Sequence, residues 1–218
     1  MSPVPLPPSP WDFDPTGWPD DDDCVGAGAD LAPATVLSAY RAGAFPMPHD
    51  GSLLWWSPQR RGVLVPGDLR VSRSLRRSLR GFTTTVDQDF DAVVDACADP
   101  RRPHGWISPE IVEAYRELHR LGWAHSVETR DGEGRLVGGL YGLAIGRLFA
   151  GESMFHRATD ASKAALVALA DIVGPSGLID VQWRTDHLAS LGVVEWSRGR
   201  YIRAVMELVN APLPEIWR

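Results

Sequence analysis

From residue 124 onward the chain switches between strand-like and helix-like segments in one order, and that order restricts the fold more than any other feature. Ala124 to Arg130 reads as a strand. Asp131-Gly132-Glu133-Gly134 has the composition of a hairpin turn, and Leu136 to Ile145 is a glycine-studded return strand. Leu148 to Phe155 is the next strand. Thr159 or Asp160 caps a helix reaching Val173. A strand over 178–183 follows, then a short helix near Asp186 to Leu191, a strand at Val193 to Trp196 and a closing helix from Arg198 to about Asn210. Hairpin, strand, helix, strand, helix, strand is an α+β arrangement.

The first half is less regular. Residues 1–29 are rich in Pro, Asp and Gly and read as an extended segment, poorly ordered in part, with Trp11, Phe13 and Trp18 pinning it to the body. Asp30 to Ala42 is a helix: Asp30 can cap it, Pro33 suits its first turn, Gly43 suits its end, and Val36, Leu37 and Tyr40 form its apolar stripe. Residues 45–48, Phe-Pro-Met-Pro, read as a loop, and Val63 to Val65 as a short strand. Ser72 to Leu79 is helical, Phe82 to Val86 is a β-branched strand, and Phe90, Val93, Val94 and Cys97 mark another helix. Ser108-Pro109-Glu110 opens one more, with Ile111, Val112, Tyr115 and Leu118 on one face. These readings divide the chain into a leading segment at 1–29, a small N-terminal α/β domain at 30–100 and a larger α+β domain at 101–218.

Composition closes off several function classes. No apolar run approaches the length of a membrane span, and MSPVPLPPSPWDFDP lacks the basic-then-apolar signature of a secretory signal. Cys24 and Cys97 fit a reducing cytoplasm better than a disulfide scaffold, and are too few for a cysteine-based zinc site. The histidines (His49, His104, His119, His125, His156 and His187) show neither HxxxH nor HxH spacing, so no metal site is expected. GxSxG and GxxxxGK are both absent. The net charge of −6 is unevenly spread: residues 1–59 carry eight Asp against one Arg, concentrated at Asp20-Asp21-Asp22-Asp23. Such a run is usually solvated chain.

Four constellations remain. In a strand, residues two apart share a face, so Asp180 and Gln182 should stand side by side at a strand's C-terminal end. A carboxylate that orients a neutral amide suits a reaction in which an amine must be positioned and relieved of a proton. Glu152 is an acid in an otherwise apolar strand, where alternation places it with Met154, opposite Phe149, Gly151, Ser153 and Phe155. Its burial demands a partner: an arginine ion pair or a functional site. Trp106, in a loop before the Ser108 cap, can stack on a base or plug the core. Arg60, Arg61, Arg70, Arg73, Arg76, Arg77 and Arg80 fall within 21 residues that hold one acid, Asp68, and read as a patch for phosphates.

Several segments together resemble the leucyl/phenylalanyl-tRNA–protein transferase family of bacterial N-end-rule aminoacyltransferases. They are LSAYRAGAFP (37–46), LLWWSPQRRGVL (53–64), GWIS (105–108), LVGGLYG (136–142), LFAGESMF (148–155), ASKAAL (161–166) and LIDVQWRTDHLASLG (178–192). The resemblance implies an N-acyltransferase-like (GNAT-like) C-terminal domain beside the smaller N-terminal one. It also implies transfer of Leu, Phe or Met from aminoacyl-tRNA to the N-terminal amine of proteins that begin with Arg or Lys, by a cytoplasmic, monomeric enzyme needing no cofactor or metal. By the same resemblance Asp180 and Gln182, with Glu152, are catalytic: the acid orients the amide, and Glu152 holds the incoming amine or the terminal adenosine. Leu140, Phe149, Met154, Leu169 and Ile179 form the aminoacyl side-chain pocket. Trp106 and Met47 flank the tRNA 3′ adenosine, and Arg60, Arg61, Arg73, Arg76, Arg77 and Arg80 meet tRNA phosphates.

Departures from the family's pattern also carry expectations. Met47 stands where Trp is common, which weakens stacking there. Leu140 and Leu169 stand where larger residues are familiar, which predicts a roomier pocket favouring Phe over Leu. The rival on the same fold is an acetyl-CoA-dependent N-acetyltransferase. Residues 156–161 hold no glycine to cradle its pyrophosphate. A non-catalytic tRNA- or peptide-binding module would have no use for the acid–amide pair.

Overall fold

A computed structural model describes residues 2–102 and 105–218, with His104 outside them. Cys24–Ala27 (β1), Phe45–His49 (β2) and Ser52–Trp56 (β3) form a small antiparallel sheet in the order β1-β3-β2. This sheet corrects two sequence readings. Prolines 46 and 48 predict a loop, but β2 is an edge strand, where a missing N–H leaves no partner unsatisfied. Asp50 and Gly51, with φ of 49° and 77°, supply the tight turn into β3. β1 lies inside the leading segment expected to be irregular. That segment is tied down by Phe13, edge-on to Trp55 at 4.8 Å, and by the Trp11 indole, which donates to Asp30 at 2.9 Å.

Pro33–Ala42 (α1) ends at Gly43, whose φ of 99° suits a residue without a Cβ. Asp30 does not cap it; it stands two residues ahead of the cap position, Ala32, from whose N–H its carboxylate accepts. Arg60–Leu64 (β4), Arg73–Leu79 (α2), Thr83–Val86 (β5), Phe90–Cys97 (α3) and Pro109–Arg120 (α4) follow. Ser108 caps α4 through its hydroxyl, as read, and Ser72 caps α2 in the same way. Then come Ala124–Arg130 (β6), Leu136–Ile145 (β7), Leu148–His156 (β8), Ala161–Val173 (α5), Leu178–Gln182 (β9), Asp186–Ser190 (α6), Val194–Ser197 (β10) and Arg198–Leu208 (α7). None of the described helices is long and apolar enough to cross a membrane.

Seven strands join in one sheet, in the order β10-β4-β9-β8-β7-β6-β5. Neighbours are antiparallel except β8 and β9, which run parallel with α5 as their crossover. The expected boundary between residues 100 and 101 is therefore corrected. It cuts through this sheet, because β4 and β5 pair with strands from beyond it. On one face α1, α3 and α4 bury Tyr40, Val93, Tyr115 and Leu118 against Tyr141, Leu143 and Phe155. On the other, Leu166 and Leu169 of α5 pack on Leu140, Phe149 and Ile179. Tyr201 and Val205 of α7 cover Val63, Leu148 and Leu178.

The parallel pair does not run its full length. β8 and β9 are in register only through Leu148↔Leu178, Phe149↔Ile179 and Ala150↔Asp180. Beyond that point β8 bulges: Gly142 faces Gly151 and Tyr141 faces Ser153, leaving Glu152 unpaired. A bulge bends its strand and re-aims a side chain. Gly142 makes the close approach there possible, since a Cβ would lie 2.1 Å from the Ala150 carbonyl oxygen. On the other strand, Gln182 turns to φ 56° and the Trp183 N–H bonds back to the Val181 oxygen at 2.7 Å. Both strands thus leave the pairing at the same level, and a gap opens between them.

Candidate active site

The gap is an apolar cavity of about 260 Å3. Leu140, Met154, Leu169 and Ile179, four of the five residues that the resemblance assigns to the side-chain pocket, line it, with Glu152 and Gln182 in the same wall. Phe149 does not reach it; it is fully buried in the adjoining core, where its ring stacks on Trp217 at 5.4 Å. Strand alternation also fails here, because the bulge at Glu152 shifts the phase. Phe149 and Met154 join one core and Phe155 the opposite one. Leu166, Val181 and Leu188 complete the apolar wall, joined by Thr185 and His187. Sequence reading missed these; the helical phase of Leu166 and Leu169 on α5 was the available signal. Burial, then the Lys163 charge, holds the His187 imidazole below its usual range, which favours its neutral form at pH 7.

Asp180 is not in the cavity wall. It is fully buried, and its carboxylate is saturated. Arg61 donates from Nε to Oδ1 at 2.8 Å and from a terminal nitrogen to Oδ2 at 2.6 Å. The Tyr201 hydroxyl donates to Oδ2 at 2.8 Å, and the Gln182 main-chain N–H to Oδ1 at 3.0 Å. Two corrections follow. Asp180 holds the backbone of Gln182, not its side-chain amide, because the positive φ at Gln182 breaks the alternation that would set the side chains together. The amide nitrogen is buried without a partner among the described residues, and the residue is part of the cavity wall. Arg61 is not a phosphate ligand either, since its side chain is 1% exposed. Its guanidinium lies over the rings of Phe45 (4.7 Å) and Tyr201 (4.4 Å). Burial opposes its charge, but the Asp180 carboxylate outweighs that and holds its pKa above the ordinary arginine value.

Among the described residues Glu152 has no arginine partner. The Tyr40 hydroxyl donates to its Oε1 at 2.5 Å, and the Tyr115 hydroxyl lies 2.8 Å from that of Tyr40. With Tyr40's proton committed to Glu152, Tyr115 donates to Tyr40, so the phenols form a relay. Burial pushes the Glu152 carboxyl up to about 7, against the pull of the two phenols. Tyr40 and Tyr115 carried no signal in sequence beyond their places on apolar helix stripes.

Trp106 is half-buried and packs against the first core, and Met47 is half-buried with its carbonyl accepting from the Trp56 indole at 3.0 Å. Arg60 is exposed and pairs with Glu195; Arg73, Arg76, Arg77 and Arg80 are exposed on α2 with no carboxylate partner among the described residues. The fold also gathers Asp87, His119 and His125, a grouping that sequence spacing did not reveal. It is a hydrogen-bonded cluster in its own right: the His125 Nδ1 meets Asp87 at 2.7 Å and the His119 Nδ1 meets the Ala124 carbonyl at 2.8 Å.

A family model for leucyl/phenylalanyl-tRNA protein transferase matches residues 63–206, and a model for that enzyme's N-terminal domain matches residues 29–59. A leucyl/phenylalanyl-tRNA–protein transferase of Aromatoleum aromaticum is 52% identical over 206 residues, spanning 91% of this chain and 86% of its own. The chain belongs to the leucyl/phenylalanyl-tRNA–protein transferase family. The family member of Aeromonas hydrophila subsp. hydrophila is 46% identical, spanning 87% of this chain and 83% of its own. Among solved structures, a GCN5-related N-acetyltransferase from Kribbella flavida is 18% identical with a TM-score of 0.36, covering 63% of this chain and 54% of that one. The transferase family's two models leave only residues 60–62 between them, at the start of β4, where the three-stranded sheet has given way to the seven-stranded one.

Proposed function

We propose that this protein takes Leu, Phe or Met from aminoacyl-tRNA and joins it to the N-terminal amine of proteins beginning with Arg or Lys, marking them for N-end-rule degradation. The observation that carries the reading is the cavity between β8 and β9. At about 260 Å3 it exceeds the roughly 150 Å3 that encloses a benzene ring. It therefore has room for a benzyl or isobutyl side chain, and its Leu, Met, Ile and Val walls favour an apolar one. The acceptor's amine nitrogen attacks the ester carbonyl, the N–C bond forms, the bond to the ribose oxygen breaks, and the amine's proton ends on that oxygen. An α-amine has a pKa near 8, so a carboxyl near 7 in the same wall can take that proton at modest cost. Glu152 and its phenol relay fill this role. Asp180 is a positioning residue: its oxygens are all engaged, and it fixes the turn that presents the Gln182 amide. Most of the rate then comes from placement. Trp106 and Met47 flank the terminal adenosine, and the α2 arginines meet tRNA phosphates without reading sequence.

Acetyl-CoA is disfavoured by charge. Asp160, at the start of α5, bonds Lys163 and the Ser78 hydroxyl at 2.8 Å each, placing a carboxylate where a pyrophosphate would need N–H donors. The test is transfer of labelled Phe from Phe-tRNA to a peptide beginning with Arg, beside one beginning with Ala, with acetyl-CoA as rival donor. Transfer to the Arg peptide alone, and from the tRNA alone, is expected. Acetylation, or tRNA binding with no transfer, would end the reading.

A further inference from the structure

The segment from Gln182 to Gly192 is a partition between two hollows. Gln182, Thr185 and Leu188 line the apolar cavity, while Arg184 and Ala189 of the same segment line a second, polar groove of about 500 Å3. Arg60 and Arg70 lie in that groove too, with Glu195 as its one acid. Arg60 takes Glu195 at 2.5 Å, so Arg70 and Arg184 are left without a carboxylate partner among the described residues. Two exposed guanidiniums in one groove call for an anion.

Both arginines ride on backbone that packs closely against its neighbours. The Arg70 N–H bonds to the Leu191 oxygen at 2.9 Å, and a Cβ on Gly192 would lie 2.4 Å from the Asp68 oxygen. A Cβ on Gly62 would lie 2.8 Å from the Arg184 nitrogen. Their places in the chain give the groove a direction. Arg70 is three residues before α2 and its exposed arginines, and Arg184 is two residues after Gln182. At the opposite end the sign reverses: the Gln59 N–H is held by the Asp23 carboxylate at 2.8 Å, beside Asp20 and Asp22. A polyanion that continues from α2 along the groove toward Gln182 therefore meets two unpaired cations, Arg70 and Arg184. The protein substrate cannot be the occupant, because its terminal residue and amine are cationic.

We propose that Arg70 and Arg184 bind the phosphodiesters of the unpaired nucleotides just before the aminoacylated adenosine, so that the groove steers the donor's 3′ end from α2 into the cavity. The proposal rests on the transferase reading for the identity of the nucleic acid. Exposed Trp183, edge-on to Phe45 at 5.1 Å, stands between Gln182 and Arg184 where a base of that strand would pass.

The test is binding of uncharged tRNA, intact and trimmed of its unpaired 3′ nucleotides, to the wild type and to Arg70→Gln, Arg184→Gln and Arg77→Gln. Each groove variant should weaken intact tRNA by about five-fold and leave trimmed tRNA unchanged. The slope of log affinity against log salt should fall by about 0.7 per arginine removed, as for single strands. Arg77→Gln should weaken both tRNAs alike, and Arg184→Lys should recover most of the loss. Equal weakening of intact and trimmed tRNA by Arg184→Gln, or no weakening at all, would overturn the proposal. A wild type that prefers intact to trimmed tRNA but transfers no Phe would remove the transferase reading and leave the groove assignment standing.

Discussion

Replacing Arg61 with methionine separates a buried strut from a tRNA contact. Arg61 is 1% exposed and Asp180 not at all, and two short hydrogen bonds join them. Removing one member of such a pair strands the other's charge, at a cost of about 3–5 kcal/mol. Methionine keeps most of the packing volume, and Tyr201 and the Gln182 N–H remain on the carboxylate, which moderates the loss. Against that, the cation contacts over Phe45 and Tyr201 vanish, each about 0.5–2 kcal/mol. A net loss of about 4 kcal/mol is a large share of the 5–15 kcal/mol usual for a domain. At roughly 2–4 °C per kcal/mol for a chain of this size, the melting midpoint should fall by about 8–16 °C. Urea unfolding should show a lower midpoint at unchanged slope. Arg61→Met/Asp180→Leu, which removes both charges, should recover about half. Full recovery is barred because the Tyr201 hydroxyl and the Gln182 N–H then lose their acceptor, at about 1–3 kcal/mol each. Transfer should slow while tRNA affinity stays at the wild-type value. A variant as stable as the wild type but weak in tRNA binding would refute the buried pair and return Arg61 to the phosphate contacts.

Three further outcomes are expected. Burial holds Glu152 at about 7 against an ordinary 4.5, so between those values the folded chain keeps a proton that the unfolded chain has released. Stability should therefore fall as pH rises from about 4.5 to about 7, by on the order of 3 kcal/mol, and Glu152→Gln should flatten that slope in urea titrations at several pH values; an unchanged slope would acquit Glu152. Leu169→Phe narrows the cavity, so kcat/KM for Phe-tRNA relative to Leu-tRNA should drop by about ten-fold from the wild-type ratio; an unaltered ratio would mean the side chain binds elsewhere. Gly142→Ala drives a Cβ to 2.1 Å from a backbone oxygen and should cost more than about 3 kcal/mol, whereas Gly132→Ala, with open space around it, should stay within about 0.5 kcal/mol. Equal stabilities for those two variants would contradict the close β7–β8 approach.

What the sequence revealed was local. Gly43, Ser72, Ser108 and the Asp131–Gly134 turn act within a few residues of themselves, and each ended or began its element as read. β2 was misread because prolines 46 and 48 report a missing donor, not whether a neighbouring strand needs one; edge position decides that, and it is a property of the sheet. The bulge at Glu152 was invisible for a related reason, since register belongs to a pair of strands. Asp180 and Gln182 were legible as residues of interest, from strand spacing and then through resemblance, but their contacts were not. The positive φ at Gln182 exchanges an amide for a main-chain N–H as the group the acid holds.

Arg60 and Arg61 show where the limit lies. They are adjacent, identical in type and part of one basic run, and nothing local distinguishes them. In β4 they point to opposite faces. Arg60, 79% exposed, meets Glu195 of the edge strand. Arg61 meets Asp180, 119 residues away in sequence, because β4 pairs with β9 and sets Val63 beside Asp180. What makes that face an interior is α7, whose Tyr201 closes over the pair and donates to the same carboxylate. The fate of an arginine in this run is thus decided by which face of β4 a helix from the end of the chain covers. Charge pattern therefore placed in a phosphate patch a residue that the fold had already committed to Asp180.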